Sequence, residues 1–163
     1  MSGRYLFETQ LWLPAPIDEV FELFSRVEYL NPLTPRWFDL TPFGEVPERL
    51  AEGVEIPYVL RLHRLPLRWT SRITSWRPPS GFTYVQARGP YRYFQHDHLF
   101  REVDGGTETI DRVAYEARGG PLVRGLVERD LRRIFQYRRL AAPELLDALQ
   151  PELRSHSSPA LAV

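Results

Sequence analysis

The feature that most constrains the fold of this chain is a tight turn between two runs of alternating residues. Asp104-Gly105 separates a run from Tyr91 to Val103 from a second run from Thr107 to Glu116. Asp-Gly between alternating runs is the strongest short-range signal for a two-residue β-hairpin turn, because both turn residues must accept positive φ. The sequence therefore predicts an antiparallel hairpin whose register is fixed by its turn.

That register decides which side chains share a face of the hairpin. It places Arg101 opposite Glu108 and Asp97 opposite Arg112, so one face carries two opposite-charge pairs of the kind that stabilise a solvated surface. A shift by one residue would lose this charge matching, which favours the first register. The other face is mostly apolar, with two imidazoles and a carboxylate among its side chains: Phe94, His96, His98, Phe100, Thr109, Asp111, Val113 and Tyr115.

Alternation with a period of two recurs along the chain and predicts further strands. Proline and glycine mark the loops between them, including a break at Leu65-Pro66. Besides the two strands of the hairpin, the predicted strands are residues 4–13, 37–43, 54–64, 67–76 and 82–88.

Apolar residues at three- and four-residue spacing predict a short helix near the start of the chain and a long one near its end. The short helix follows Pro16, and a further helical turn is expected near Tyr29. The long helix follows Gly119-Gly120-Pro121, and Pro143 is expected to kink it. Its arginines at 124, 129, 132, 133, 138 and 139 are predicted to form a solvated face. Its apolar stripe comprises Val123, Leu126, Val127, Leu131, Ile134 and Phe135.

This order of elements predicts an α+β fold in which a curved antiparallel sheet wraps around a long C-terminal helix. The apolar face of such a sheet must be covered, and only the last helix is long enough to cover it. Aromatic residues such as Tyr58, Trp69, Phe94 and Tyr115 are expected to hold the sheet and the helix apart and to leave a cavity. The alternative is an interior that side chains fill completely.

The length of the chain, 163 residues, is that of one domain with a sizeable core. Residues 1–150 are predicted to form a single domain, because no linker divides them. From Pro151 onward the sequence lacks periodicity, so residues 151–163 are predicted to form a disordered tail.

Composition disfavours several classes of function. The formal net charge is zero, which gives no overall field that attracts nucleic acid or an anionic membrane. Cysteine is absent, so a disulfide framework, a thiol nucleophile and a thiolate metal site are excluded. No apolar run approaches the ~18 residues of a membrane-spanning helix. The sequence therefore predicts a cytoplasmic protein with no integral membrane segment and no nucleic-acid partner.

Several short segments, in this order of elements, carry a resemblance to a known superfamily. They are Phe7-Glu8-Thr9, the segment from Pro14 to Phe21, the segment from Asn31 to Pro35, Trp76-Arg77-Pro78-Pro79, Gly89-Pro90-Tyr91, the segment from His96 to Phe100, Gly105-Gly106-Thr107 and the segment from Asp111 to Glu116. Over residues 4 to 145 the chain resembles the helix-grip superfamily, which includes START lipid-binding domains, the birch-pollen allergen Bet v 1 and bacterial polyketide cyclase or dehydrase-like proteins.

The resemblance implies a β-α-α-β6-α fold with a hydrophobic tunnel between the sheet and the C-terminal helix. It is closest to small stand-alone bacterial members that bind ligands. It does not imply a reaction, because members bind lipids, sterols, polyketides or plant hormones and only some of them catalyse.

Three functions are compatible with these features. The first is a carrier or sensor that binds a small hydrophobic ligand, such as a lipid, a polyketide or another apolar metabolite. The second is a cyclase or dehydratase in which His98, held by Asp111, moves a proton on a polyketide-like substrate. The third is a protein-interaction module with a filled core. The residues predicted to contact a ligand are Tyr58, Trp69, Phe94, His96, His98, Phe100, Asp111, Val113, Tyr115, Leu126 and Ile134.

Two histidines and a facing carboxylate on neighbouring strands can also meet a first-row metal ion. A zinc site needs three or four well-placed ligands, and the sequence shows no further ligand beside His96, His98 and Asp111. No metal and no cofactor are therefore predicted.

Overall fold

The structure, a computed structural model, describes residues 3–47 and 49–157. Its main feature is one seven-stranded antiparallel sheet with the strand order β1-β7-β6-β5-β4-β3-β2. The strands are β1 (Tyr5–Leu13), β2 (Thr41–Pro42), β3 (Glu55–Leu62), β4 (Leu65–Arg77), β5 (Gly81–Arg88), β6 (Tyr93–Val103) and β7 (Gly106–Glu116).

Two helices accompany this sheet. Helix α1 spans Ile17–Ser25 and is followed by a single 3-10 turn at Val27–Tyr29. Helix α2 spans Gly120–Ser157 and packs against α1 and β1. The arrangement confirms the α+β fold, with a curved sheet and one long C-terminal helix. Among the described residues, no helix combines the length and the apolar composition needed to cross a bilayer.

The hairpin of β6 and β7 has the predicted register. His98 pairs with Asp111, Arg101 with Glu108, and Asp97 with Arg112. The turn residues Asp104 and Gly105 have φ values of 51° and 75°, as a two-residue hairpin turn requires. The pairing alternates faces along both strands, so His96, His98 and Asp111 are all buried on the inner face of the sheet.

A pair of glycine-to-alanine substitutions tests this turn. Gly105 has positive φ and no atom near the position of an added Cβ, so Gly105→Ala is expected to lower the free energy of unfolding by about 1–2 kcal/mol through backbone strain alone. Gly125 lies inside α2, also with open space, and Gly125→Ala is expected to raise the free energy of unfolding by about 0.5–1 kcal/mol. Urea unfolding of both variants measures the difference, and equal effects in the two would contradict the turn geometry.

Two other strand predictions differ from the structure. The strand expected at residues 37–43 is reduced to Thr41–Pro42, because the backbone turns at Asp39, where φ is 41°. The break expected at Leu65-Pro66 lies inside β4 instead. The chain reverses two residues earlier, at His63 and Arg64, whose φ values are 50° and 68°.

The first part of the segment predicted as a disordered tail, residues 151–157, is helical instead. Helix α2 continues through Pro143 and Pro151 to Ser157, so the first seven residues of the segment that began at Pro151 are helical. Leu153 is fully buried, and Glu152 accepts a hydrogen bond of 3.0 Å from the Tyr29 hydroxyl. These contacts with the start of the chain hold the end of the helix in place. Residues 158–163 lie outside the described residues.

The hydrophobic core has two parts. The part beneath α1, here called the α1 core, comprises Leu13, Val20, Phe21, Leu23, Phe24, Phe82, Phe100, Ala142, Leu146 and Leu153, among others. In it the ring of Phe21 makes edge contacts with Trp76, Phe82 and Phe100. The part beneath the N-terminal half of α2, here called the β3 core, comprises Leu40, Ile56, Tyr58, Leu60, Trp69, Phe94, Val113, Tyr115, Val127, Leu131 and Phe135.

Candidate functional site

A partly enclosed cavity lies between the concave face of the sheet and the N-terminal half of α2. Its volume is about 150 Å³, on the order of the apolar cavities that admit a benzene-sized molecule. Its lining is mostly apolar and includes residues of both the β3 core and the α1 core. The side chains that bound it from opposite sides include Ile56, Leu60 and Trp69 on the sheet and Val127, Leu131 and Phe135 on the helix.

The structure brings most of the predicted ligand-contacting residues together around this cavity. Those that line it are Tyr58, Trp69, Phe94, His96, His98, Val113 and Ile134. Asp111 lies behind the two histidines, where it contacts their rings. Phe100, Tyr115 and Leu126 do not line the cavity.

Each of these three residues is elsewhere for a specific reason. Phe100 lies on the same face of β6 as His98 but two residues further along the strand, where it is buried in the α1 core. Tyr115 is buried near the other end of the hairpin, where its ring meets those of Tyr5 and Tyr91. Leu126 is 38% exposed. One helical residue turns the side chain by about 100°, so Leu126 points away from the lining position next to it.

The polar end of the cavity is built around one carboxylate oxygen. Oδ1 of Asp111 accepts a hydrogen bond of 2.8 Å from Nε2 of His96. Nδ1 of His98 lies 2.7 Å from the same oxygen. Asp111 Oδ1 therefore contacts both histidines: His98, which Asp111 faces across the strands, and His96, two residues away.

His96 is also bonded on its other side. The hydroxyl of Tyr84, which faces His96 across β5 and β6, lies 2.8 Å from Nδ1. Burial raises the pKa of Tyr84, so the phenol keeps its proton and donates a hydrogen bond to Nδ1. Burial, followed by the nearby His98, lowers the pKa of His96 to about 3. Tyr84, neutral His96 and Asp111 thus form a continuous hydrogen-bonded row.

Asp111 carries a negative charge within this buried row. Burial by itself would raise its pKa, but the interaction with His98 and the hydrogen bond from His96 outweigh that effect and hold the pKa well below the usual value. Nη1 of Arg138 lies 3.7 Å from Oδ1 and adds a positive charge to the same place.

Arg138 lines the cavity, in contrast to the prediction from the sequence. It was expected on a solvated face of α2, yet it is 7% exposed and lines the cavity. Its guanidinium carbon lies 5.0 Å from the centre of the Phe135 ring, within the range of cation–π attraction. The spacing of the helix indicates this buried position, because Arg138 follows Leu131 by seven residues and Ile134 by four and so lies on the same face.

His96, His98 and Asp111 also form a group with potential metal-ligand atoms within 4.8 Å of one another. Within the described residues, however, both ring nitrogens of His96 already have partners, Asp111 Oδ1 and the Tyr84 hydroxyl. A cation at Oδ1 would also lie beside the guanidinium of Arg138. The arrangement fits a hydrogen-bonded network better than a metal centre.

The sequence matches the model of a known protein family. Residues 13–138 match the model of the family described as polyketide cyclase / dehydrase and lipid transport. The chain belongs to this family. A search of curated proteins finds no match.

Solved structures agree with the fold of the polyketide cyclase / dehydrase family. The aromatase/cyclase ZhuI of Streptomyces sp. R1128 is 15% identical, with a TM-score of 0.73 over 90% of this chain and 96% of that one. Ara h 8.0201 is 15% identical, with a TM-score of 0.61 over 84% of this chain and 96% of that one. A nucleoside-diphosphate sugar epimerase of Corynebacterium glutamicum is 27% identical, with a TM-score of 0.63, and the match covers 89% of this chain but 30% of that one.

Proposed function

We propose that this protein binds a small hydrophobic ligand in the cavity between the sheet and α2, as a carrier or sensor in the cytoplasm. The observation that carries the proposal is a cavity of about 150 Å³ with a mostly apolar lining and polar groups at one end. Small-molecule sites have this composition, in which apolar walls supply affinity and a few polar groups fix orientation. Apolar surface that a ligand buries there contributes ~25 cal/mol per Å² before the costs of binding.

The geometry supports binding more strongly than the two alternatives. A cyclase or dehydratase mechanism based on His98 needs Asp111 to serve this histidine, whereas Asp111 Oδ1 also accepts a hydrogen bond from His96 and lies 3.7 Å from Arg138. An interaction module with a filled core would lack the internal cavity that Trp69 and Leu131 line.

A matched pair of leucine-to-tryptophan substitutions on α2 tests the proposal. Leu131 lines the cavity, and Leu140 is 72% exposed on the outer face. Titration calorimetry with 2-naphthol, a neutral bicyclic probe, is expected to show binding to the wild type and to Leu140→Trp. In Leu131→Trp the larger ring occupies the cavity, so the affinity is expected to fall at least about tenfold.

Circular dichroism serves as the control for folding of both variants. Failure of the wild type to bind 2-naphthol would contradict the proposal. Unchanged affinity in a folded Leu131→Trp would also contradict it, because the probe would then be bound elsewhere.

A further inference from the structure

The cavity is lined by a buried cation, Arg138, whose hydrogen-bond donors are not all paired among the described residues. Nε of Arg138 donates to the carbonyl oxygen of Leu33 over a long distance of 3.4 Å. Nη1 is buried and has no hydrogen-bond partner within the described residues. A guanidinium has five N–H donors, and each donor that stays unpaired in the interior costs free energy of folding. The described residues therefore leave Nη1 of Arg138 unsatisfied.

Among the described residues, no acceptor lies within hydrogen-bond reach of Arg138 Nη1. The distance of 3.7 Å from Nη1 to Asp111 Oδ1 exceeds that of a hydrogen bond, and this oxygen is already bonded to His96. The rings of Phe24 and Phe135 lie 5.9 and 5.0 Å from the guanidinium carbon, which offers cation–π attraction but no oxygen. Donors of Arg138 thus remain available at the polar end of an apolar cavity.

We infer that the ligand of this cavity carries a carboxylate group, whose oxygens accept hydrogen bonds from Arg138 while its apolar body lies against Ile56, Leu60 and Trp69. The inference rests on the proposed function and adds the chemical class of the ligand. The planar guanidinium matches the two oxygens of a carboxylate, and the attraction is stronger in an interior of low dielectric constant than in water. Apolar walls alone would instead disfavour a charged ligand, because its hydration is lost on entry.

The wild-type protein provides the first test. Calorimetry at pH 7 compares 2-naphthoate with 2-naphthamide, which has the same ring system and a neutral polar group. The wild type is expected to bind 2-naphthoate at least about tenfold more tightly, as a hydrogen-bonded ion pair implies. Binding of 2-naphthamide with equal or higher affinity would overturn the inference and leave the proposed function standing. Failure of both probes to bind would overturn both.

Variants of Arg138 provide the second test. Arg138→Met is expected to weaken binding of 2-naphthoate about 10- to 100-fold and binding of 2-naphthamide less than about threefold. Arg139→Met is the matched control, because Arg139 is exposed and donates to the Gln10 carbonyl oxygen outside the cavity. Equal losses for the two probes in Arg138→Met would overturn the inference.

A third variant covers the case in which Arg138→Met does not fold. Arg138→Lys keeps the charge but loses the planar pair of donors. It is expected to retain a preference for 2-naphthoate that is smaller than that of the wild type. A preference equal to or larger than that of the wild type would overturn the role assigned to the guanidinium.

Discussion

Replacement of Asp111 by Asn is expected to lower the free energy of unfolding by about 3–5 kcal/mol, because it removes the only carboxylate next to a buried guanidinium within the described residues. Asn has nearly the same size, so the loss is electrostatic and does not reflect a new cavity. The amide oxygen still accepts a hydrogen bond from His96, but Arg138 is left as an uncompensated charge. Urea unfolding of the wild type and the variant at pH 7 measures the effect.

The matched control is Asp39→Asn, which removes a charge from an exposed ion pair. Asp39 lies 3.2 Å from Arg61, and its side chain is 48% exposed, so its loss is expected to cost about 0–1 kcal/mol. Addition of Arg138→Met to Asp111→Asn is expected to restore part of the stability, because neither buried charge then remains. Similar costs for Asp111→Asn and Asp39→Asn would contradict this account of the buried cluster.

The second large effect is a loss of stability in mild acid that originates at His96. In the unfolded chain a histidine binds a proton below about pH 6.5, whereas His96 in the folded protein stays neutral down to about pH 3. Between these values the unfolded state holds more protons, so the free energy of unfolding falls as the pH falls. The stabilisation is fully present above about pH 6.5. Below it, the equilibrium constant for unfolding is expected to rise by up to about tenfold for each pH unit.

Urea unfolding at intervals from pH 7 to pH 4.5 measures this dependence in the wild type and in His96→Gln. Glutamine does not titrate, so the variant is expected to lose stability less steeply over this range, whatever its stability at pH 7. The range lies above the usual pKa of an aspartate, and the pKa of Asp111 is lower still, so its protonation does not interfere. Parallel pH profiles in the two proteins would contradict the assignment to His96.

The parts of the fold that local chemistry fixes were predictable from the sequence. Asp104-Gly105 determines the register of β6 and β7, and this register places His98 opposite Asp111. The turn at His63 and Arg64 was missed, because its two residues also have positive φ but neither is glycine, asparagine or aspartate. In that case the pairing of β3 with β4 holds the turn in a conformation that its own residues do not favour.

The parts of the site that depend on tertiary packing were harder to predict. No tight turn joins β5 to β6, so the contact between Tyr84 and His96 does not follow from the sequence. Arg138 is buried although a charged side chain in a helix usually predicts exposure, and only its spacing, which continues the buried stripe of α2, indicates its position. The helical residues after Pro151 were missed because the burial of Leu153 comes from contacts with the distant start of the chain.

The division of the interior into an α1 core and a β3 core bears on how relatives of this chain diverge. In the tightly packed α1 core, an added methylene group forces neighbours out of their preferred rotamers and costs about 1–3 kcal/mol. Around the cavity, larger or smaller side chains at Leu60, Val113 or Leu131 instead alter a space that already exists. If the cavity binds a ligand as proposed, single substitutions there are expected to alter its selectivity without disturbing the α1 core, so that recognition evolves faster than the framework that supports it.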